Sequence, residues 1–483
     1  MKFSRNSLRP FVHLCVLLSV INFIRMAFLK YDRLKSNSVF IDSPILKQLI
    51  WLALPVIGSS FMTMAYNFIN MIFVGRLGSD AVAAVGSASF FMHFGWGLSS
   101  LLTVGAGIRV SHAIGSGDFK LAKSYVRSGI LAVIGLALIY YVILFFARNE
   151  LIGLIQLNNA EIEHAASGYL LLIGLCLPFS FQNLFFTSVF IGSGDSKSPF
   201  RINATALAIN ILLDYLLIFQ AKMGINGAAL GTIISQAIGT FLFHYKLKDS
   251  ASLKPTGTAF QSSLLKNILR MGVSTTFQRV SFTIVAIFMA RIISNWGPTA
   301  IAVQKVGIQI EAISYMTAGG FLSALSTISG IAYGGGDYRK QWQAFRSGML
   351  LAFILGTITS VVIIIFAEPL FSIFLSDPES VAMGTEYLVI LGFSQLFMVM
   401  ELMATGAFFG WGKPNIPAIS GIALTVLRIP MAYAFISLWQ NALSSVWWSI
   451  SISSMAKGTL LVILYVILFK SFIRNKHENH IVT

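Results

Sequence analysis

Charge is the scarcest property of this 483-residue chain. Asp, Glu, Lys and Arg together make up 11% of it, against about 25% in a soluble protein. So few charges cannot clothe a surface in water, which excludes an ordinary soluble domain and leaves lipid as much of the solvent. Cysteine is nearly absent. Cys15 and Cys176 both sit in apolar runs without ligand spacing to a partner, which argues against a structural disulfide or a zinc site. Period-2 alternation is missing, so a membrane β-barrel is rejected. No His/Asp/Glu metal set, Ser–His pairing or nucleotide loop is found, and the chain is read as not an enzyme, with no cofactor.

What is abundant is apolar sequence: 56% of residues are hydrophobic and the mean hydropathy is +0.78. A spanning helix needs about 20 mostly apolar residues, and only helices or closed barrels satisfy the backbone in lipid. Spans are read near 47–74, 81–108, 125–147, 166–192, 199–220, 225–244, 268–294, 299–331, 347–367, 383–411, 415–438 and 444–469. The expected fold is an all-α membrane protein of about 12 transmembrane helices. Pro55, early in the first span, is expected to bend it, because proline removes a backbone donor.

The net charge of +16 reads as topology rather than nucleic-acid binding. One set of alternate loops carries Lys120, Lys123, Arg127, Lys197, Arg201, Lys246, Arg339, Lys340, Lys413 and others. The opposite set carries little more than Arg76, Arg148 and Lys222. Positive loops stay in the cytoplasm, so both termini of the core are expected there. Residues 1–44 are set apart as an N-terminal extension. Phe11–Leu29 is apolar but interrupted by His13, Asn22 and Arg25. It could be an extra span, a signal-like segment, an interfacial helix, or sequence upstream of a true start at Met26; a peripheral segment or a later start is the favoured reading.

The sequence repeats itself at a shift of 219 residues. Ala113-Ile114-Gly115-Ser116-Gly117-Asp118-Phe119-Lys120 returns as Ala332-Tyr333-Gly334-Gly335-Gly336-Asp337-Tyr338-Arg339, and Arg127-Ser128-Gly129 as Arg346-Ser347-Gly348. Gly78 and Ala81 return as Gly297 and Ala300; after one deletion, Gly192-x-Gly194 with Pro199 returns as Gly410-x-Gly412 with Pro417. The shift spans six helices, so both halves have the same topology about an axis along the membrane normal. The expected domains are a six-helix lobe over 45–246, a cytoplasmic linker over 247–261, a second six-helix lobe over 262–470 and a tail over 471–483. Transporters built this way bind substrate between repeats and rock one against the other. The paired glycine loops read as tight turns, with Asp118 and Asp337 able to cap the following helices.

Ionisable residues inside a bilayer are costly and functional by default. In the first half Asp214 lies deep in a span, with Asn210 four residues earlier on the same face; Tyr66 and Asn70 share that spacing in the first span, and Thr232 lies in the sixth. A buried carboxylate here could take a proton, or with neighbouring oxygens hold Na⁺; equally, Asp214 could simply hydrogen-bond within its lobe. In the second half Arg279, Lys305, Glu311, Glu401, Arg428 and Lys457 fall in apolar spans. Opposite signs suggest buried pairs, such as Glu311 or Glu401 with Lys305 or Arg279. His93 and Trp96 either line a cavity or pack.

Phe73-Val74-Gly75-Arg76-Leu77-Gly78 followed by Ala81-Val82-Ala83-Ala84-Val85-Gly86, Leu52-Ala53-Leu54-Pro55, the Ala113–Asp118 loop, and Gln309-Ile310-Glu311-Ala312-Ile313-Ser314 continuing through Ala324-Leu325-Ser326 together resemble the multidrug and toxic compound extrusion (MATE) family, prokaryotic branch. The resemblance runs from about residue 45 to 470. It implies two six-helix lobes forming a V, and a multi-pass protein of the bacterial inner membrane. It also implies antiport of amphipathic, often cationic compounds against H⁺ or Na⁺. The implied partners are a small-molecule substrate and membrane lipid, with no nucleic acid and a monomeric state. Tyr66, Asn70, Asn210, Asp214 and Thr232 match the family's N-lobe polar cluster position by position, with Na⁺ at Asp214 as the possible metal. Asn70 stands where the family usually has Asp, and Gly319 where one branch has an acid. Glu311, Glu401, Arg279, Lys305 and Gln278 are the C-lobe candidates. The competing reading is a flippase for lipid-linked precursors, which would favour a basic cavity; Arg279, Lys305 and Arg428 keep it open.

Overall fold

The computed structural model describes residues 45–157, 159–438 and 442–481; the readings of residues 1–44 lie outside the described residues. By its contacts the chain divides into a first unit, Met1–Gln48, of which only the last four residues are described, and a second, Leu49–Thr483. All packing below belongs to the second unit.

Among the described residues every regular element is a helix. The first half holds α1 (Ile45–Gly75), α2 (Ser79–Gly115), α3 (Phe119–Gly153), α4 (Ala160–Gly174), α5 (Leu177–Gly192), α6 (Lys197–Tyr215) and α7 (Gly224–Asp249). The second holds α8 (Ser262–Ile293), α9 (Pro298–Gly334), α10 (Tyr338–Ile365), the short α11 (Ala367–Ser372), α12 (Pro378–Gly410), α13 (Asn415–Val426), α14 (Arg428–Leu438) and α15 (Ser444–Ile481). Residues 250–261 between the halves carry no helix.

Ten described helices are long and apolar enough to cross a bilayer, with α13 and α14 counted as one, and eleven if the bent pair α4–α5 is also one span. The twelfth, α9, has the length, at 37 residues, but Gln304, Lys305, Gln309 and Glu311 dilute its first half. A helix facing protein rather than lipid can carry such a stripe.

Three helices stop four residues before a proline: α4 at Gly174 before Pro178, α10 at Ile365 before Pro369, and α13 at Val426 before Pro430. Proline cannot donate to the carbonyl four residues back and its ring collides with it, so the chain breaks there and restarts. At the first of these the two helices meet at 50°, where the sequence suggested one span over 166–192. Pro55 behaves differently: α1 continues as helix through it.

The repeat is visible in backbone angles. Asp118 Oδ1 accepts from Leu121 N at 2.8 Å and Asp337 Oδ1 from Lys340 N at 2.8 Å, after Gly117 and Gly336 at φ +75° and +73°. Both aspartates cap the helices they precede, as their positions suggested. The halves then touch through matched glycines. A Cβ on Gly115 would overlap the Ile331 carbonyl, and one on Gly334 the His112 carbonyl. These are the same contact seen from either side of the pseudo-two-fold. Gly105 and Gly272 let α2 and α8 approach equally closely, against the carbonyls of Ile268 and Leu101. Small residues permitting backbone contact are how helices associate without a hydrophobic drive. At the glycine-loop end His112 Nε2 lies 2.7 Å from the Gly410 carbonyl, and Thr327 Oγ1 donates to the Ile191 carbonyl at 3.1 Å.

Each half has its own packed interior. Phe181, Phe185, Phe186 and Phe243 are fully buried in the first, and Val303, Phe371, Leu388 and Trp447 in the second. Phe90, Phe146, Phe241 and Ile287 project outward, as lipid-facing residues do.

Candidate ion-coupling and cargo site

Asp214 is 1% and Asn210 2% exposed, so neither has meaningful contact with solvent. One helical turn apart on α6, they face the same way, and Asn210 Nδ2 donates to Asp214 Oδ1 at 2.9 Å. Tyr66 of α1 brings its hydroxyl to Thr232 of α7, within electrostatic reach of Asp214. Thr232 donates to the Ala228 carbonyl at 3.0 Å, so its oxygen remains able to accept. Four of the five N-half residues singled out in the sequence are therefore assembled from three helices. The fifth, Asn70, carries a buried Oδ1 with no hydrogen-bond partner among the described residues.

Two further features surround this cluster. A Cβ on Gly231 would overlap Asp214 Oδ1 and lie 3.4 Å from Asn210 Nδ2, so the glycine before Thr232 makes room for the carboxylate. Immediately after Asp214 the α6 helix loosens into a π turn at Leu216–Gln220, a local irregularity frequent at functional sites. Sequence spacing pointed to neither; the signal available was a glycine beside the polar residue of an apolar span.

In the second half the structure corrects the expected pairings. Glu401 of α12 pairs with Lys457 of α15 at 3.2 Å, the side chains 13% and 6% exposed. Glu311 of α9 meets no cation within 4 Å among the described residues. It accepts from the Tyr387 hydroxyl at 2.7 Å and from Gln395 Nε2 at 3.4 Å. Arg279 and Lys305, the expected partners, have exposed side chains, because their turns of α8 and α9 face outward from the packed interior. Gln278 is half-buried, its amide against Gly421. Position 319 faces open space.

Arg428 of α14 is 8% exposed. Its Nε donates to Ser453 Oγ at 2.7 Å and its Nη2 to Ser454 Oγ at 3.0 Å. Its guanidinium carbon lies 5.5 Å from the centre of the Phe282 ring, and Lys457 Nζ lies 5.8 Å from it. His93 and Trp96 are exposed with rings 4.9 Å apart.

The model of the MatE family matches residues 55–216 and again residues 273–434, two segments of equal length that fall one on each half. Among curated relatives, the "Probable multidrug resistance protein NorM" of Thermotoga maritima is 27% identical over 433 residues, covering 87% of this chain and 92% of its own length. The "Probable multidrug resistance protein YoeA" of Bacillus subtilis is 26% identical, covering 81% and 87%. Among solved structures, a MATE protein in the bent conformation superposes at TM-score 0.85 with 21% identity, covering 90% of this chain and 97% of that one. An outward-facing multidrug resistance MATE family transporter of the MOP superfamily superposes at TM-score 0.82 with 21% identity, covering 89% and 97%.

Proposed function

Because this chain belongs to the MatE family, whose MATE transporters share a two-lobed twelve-helix fold, we propose that it is a secondary antiporter. In this reading it exports amphipathic organic compounds, cationic ones among them, against inward H⁺ or Na⁺, and performs no covalent chemistry. The observation that carries the reading is the carboxylate of Asp214, buried between α6 and α7 with the Asn210 amide as its one hydrogen-bond donor among the described residues. A charge in that setting is costly unless something neutralises it, and H⁺, Na⁺ or a cationic cargo each would. Exchange follows if the ion and the cargo compete for that neutralisation in the two orientations of the halves.

The oxygens around Asp214 fit a hard cation as well as a proton. Tyr66, Thr232 and Asn210 supply neutral oxygen donors, the type Na⁺ accepts. Asn70 adds no titratable group, so a single carboxylate serves this half. In this reading both ends of the helical core lie in the cytoplasm, which the Lys- and Arg-bearing loops support, and the membrane is a bacterial plasma membrane, which the likeness to bacterial relatives supports.

The test is purified protein in proteoliposomes loaded with a fluorescent cationic dye, with a proton gradient and a sodium gradient imposed separately. Dye movement under one gradient and not the other supports the antiporter and names its ion. Folded protein that moves no dye under either gradient contradicts the reading.

A further inference from the structure

The helices α9 and α10 touch near their connecting loop and separate beyond it. Near the loop a Cβ on Gly348 would overlap the side chain of Leu325. Further along, α10 turns its small residues toward α12 instead. A Cβ on Gly356 would overlap Leu396, and Ser360 Oγ donates to the Gly392 carbonyl. That packing leaves a groove of about 280 Å³ between α9 and α10. One wall is α9 from Ile310 to Ala318, the other α10 from Leu355 to Ile363, with Val399 of α12 and Leu370 of α11 completing it. Each wall runs for eight residue steps, about 12 Å of helix rise. Spanning helices tilt about 20° from the bilayer normal on average, so this slot runs nearly along the direction of a lipid chain.

Its chemistry is that of hydrocarbon. Among the described residues no charged side chain lines it. Thr317 and Thr359 donate to the carbonyls of Ile313 and Leu355 one turn back, at 2.9 and 2.8 Å. Ser314 Oγ has no partner among the described residues, but the Ile310 carbonyl one turn back is open to it in the same way. The mouth of the slot belongs to the outer apolar surface: Ile313, Ile358 and Val362 are 49%, 55% and 42% exposed, and Phe353, Ile354, Val361 and Ile365 continue that surface along α10. Its depth reaches the interior, where Val399 is 2% exposed. Left unfilled, such a space forfeits the dispersion contacts of every side chain along it. Lipid is the solvent on this face, and a hydrocarbon chain is the occupant that matches its length, direction and lack of charge.

We propose that the slot is a binding site for one acyl chain of a membrane phospholipid, held between α9 and α10. The chain braces the stretch of α9 that carries Glu311, and the headgroup stays outside the site. The proposal goes beyond the antiporter reading and does not depend on it.

The experiment uses the full chain in detergent, relipidated with dioleoyl phosphatidylcholine, with native mass spectrometry counting the lipids that survive washing. The wild type is expected to keep one lipid under washing that strips the rest. Thr359→Phe, whose ring fills the slot, should cut the retained fraction at least fivefold; Ile358→Trp serves the same purpose if Thr359→Phe does not purify folded. Ile354→Phe, on the exposed surface outside the slot, should stay within twofold of wild type, as should Ser314→Ala. Dioctanoyl phosphatidylcholine should be retained at least fivefold less than the dioleoyl lipid, and dioleoyl phosphatidylglycerol within twofold of it. Added dioleoyl phosphatidylcholine should raise the melting temperature of the wild type and of Ile354→Phe, and not that of the filled variant. A wild type that keeps no lipid overturns the proposal, as does undiminished retention in the filled variant. Retention that follows the headgroup rather than the chain also overturns it. So does a fivefold loss in Ser314→Ala, which would give the slot to a ligand with a hydrogen-bond acceptor.

Discussion

At the scale of single residues, Gly231 is as constrained as the acid it faces. Any side chain there must displace the Asp214 carboxylate, so Gly231→Val is expected to cut ion-driven efflux at least tenfold while the protein still purifies folded; transport at the wild-type rate would show that the carboxylate's position is unimportant. The pair in the second half makes a different prediction. Lys457→Met strands the Glu401 charge at a site 13% exposed, which costs about 3 kcal/mol or more. Lys457→Met combined with Glu401→Gln should recover most of that. Thermal unfolding in detergent measures both, and an unchanged melting temperature in the single variant would contradict the pairing. Asp214 and Asn210 were legible in the sequence because a four-residue spacing in one helix fixes a shared face. Glu401 with Lys457 was not, because partners 56 residues apart are chosen by how α12 and α15 pack, which no local periodicity records. Arg279 and Lys305 looked equally suitable by charge alone.

At the scale of elements, the repeat register was legible because glycine and aspartate are demanded by backbone geometry. Gly117 and Gly336 adopt a left-handed conformation that other residues adopt reluctantly. Where the halves diverge the chemistry diverges too: Asp195 accepts from Lys197 N and Ser198 N at 3.1 and 2.9 Å, and the matching position in the second half is Lys413, its ammonium 3.8 Å from the Trp411 ring centre. The proline breaks were missed, since an apolar run containing proline reads as one span by hydropathy and as two by hydrogen bonding. The matched glycine contacts predict matched consequences. Gly115→Val and Gly334→Val each force α2 and α9 apart at a backbone carbonyl, costing about 3 kcal/mol. Both should lower the melting temperature by similar amounts, while Gly135→Val, with open space around its Cβ, should leave it in place. Unequal effects of the first two would contradict the pseudo-two-fold contact.

At the scale of the whole molecule, the two halves share a fold and differ in charge. The first buries one carboxylate among neutral oxygens; the second buries a cation–acid pair, a guanidinium held by serines and a carboxylate held by Tyr387 and Gln395. In the reading proposed above, that asymmetry puts ion coupling in the first half. Composition alone placed the chain in a membrane, and the even shift of the repeat gave two halves of like topology. The asymmetry needed the side-chain partners. The most direct test measures ion flux coupled to dye exchange in proteoliposomes, for wild type, Asp214→Asn and Glu311→Gln side by side. The account predicts that Asp214→Asn abolishes coupled ion flux while Glu311→Gln keeps at least half of it. Loss in Glu311→Gln with retention in Asp214→Asn would place coupling in the second half and contradict it.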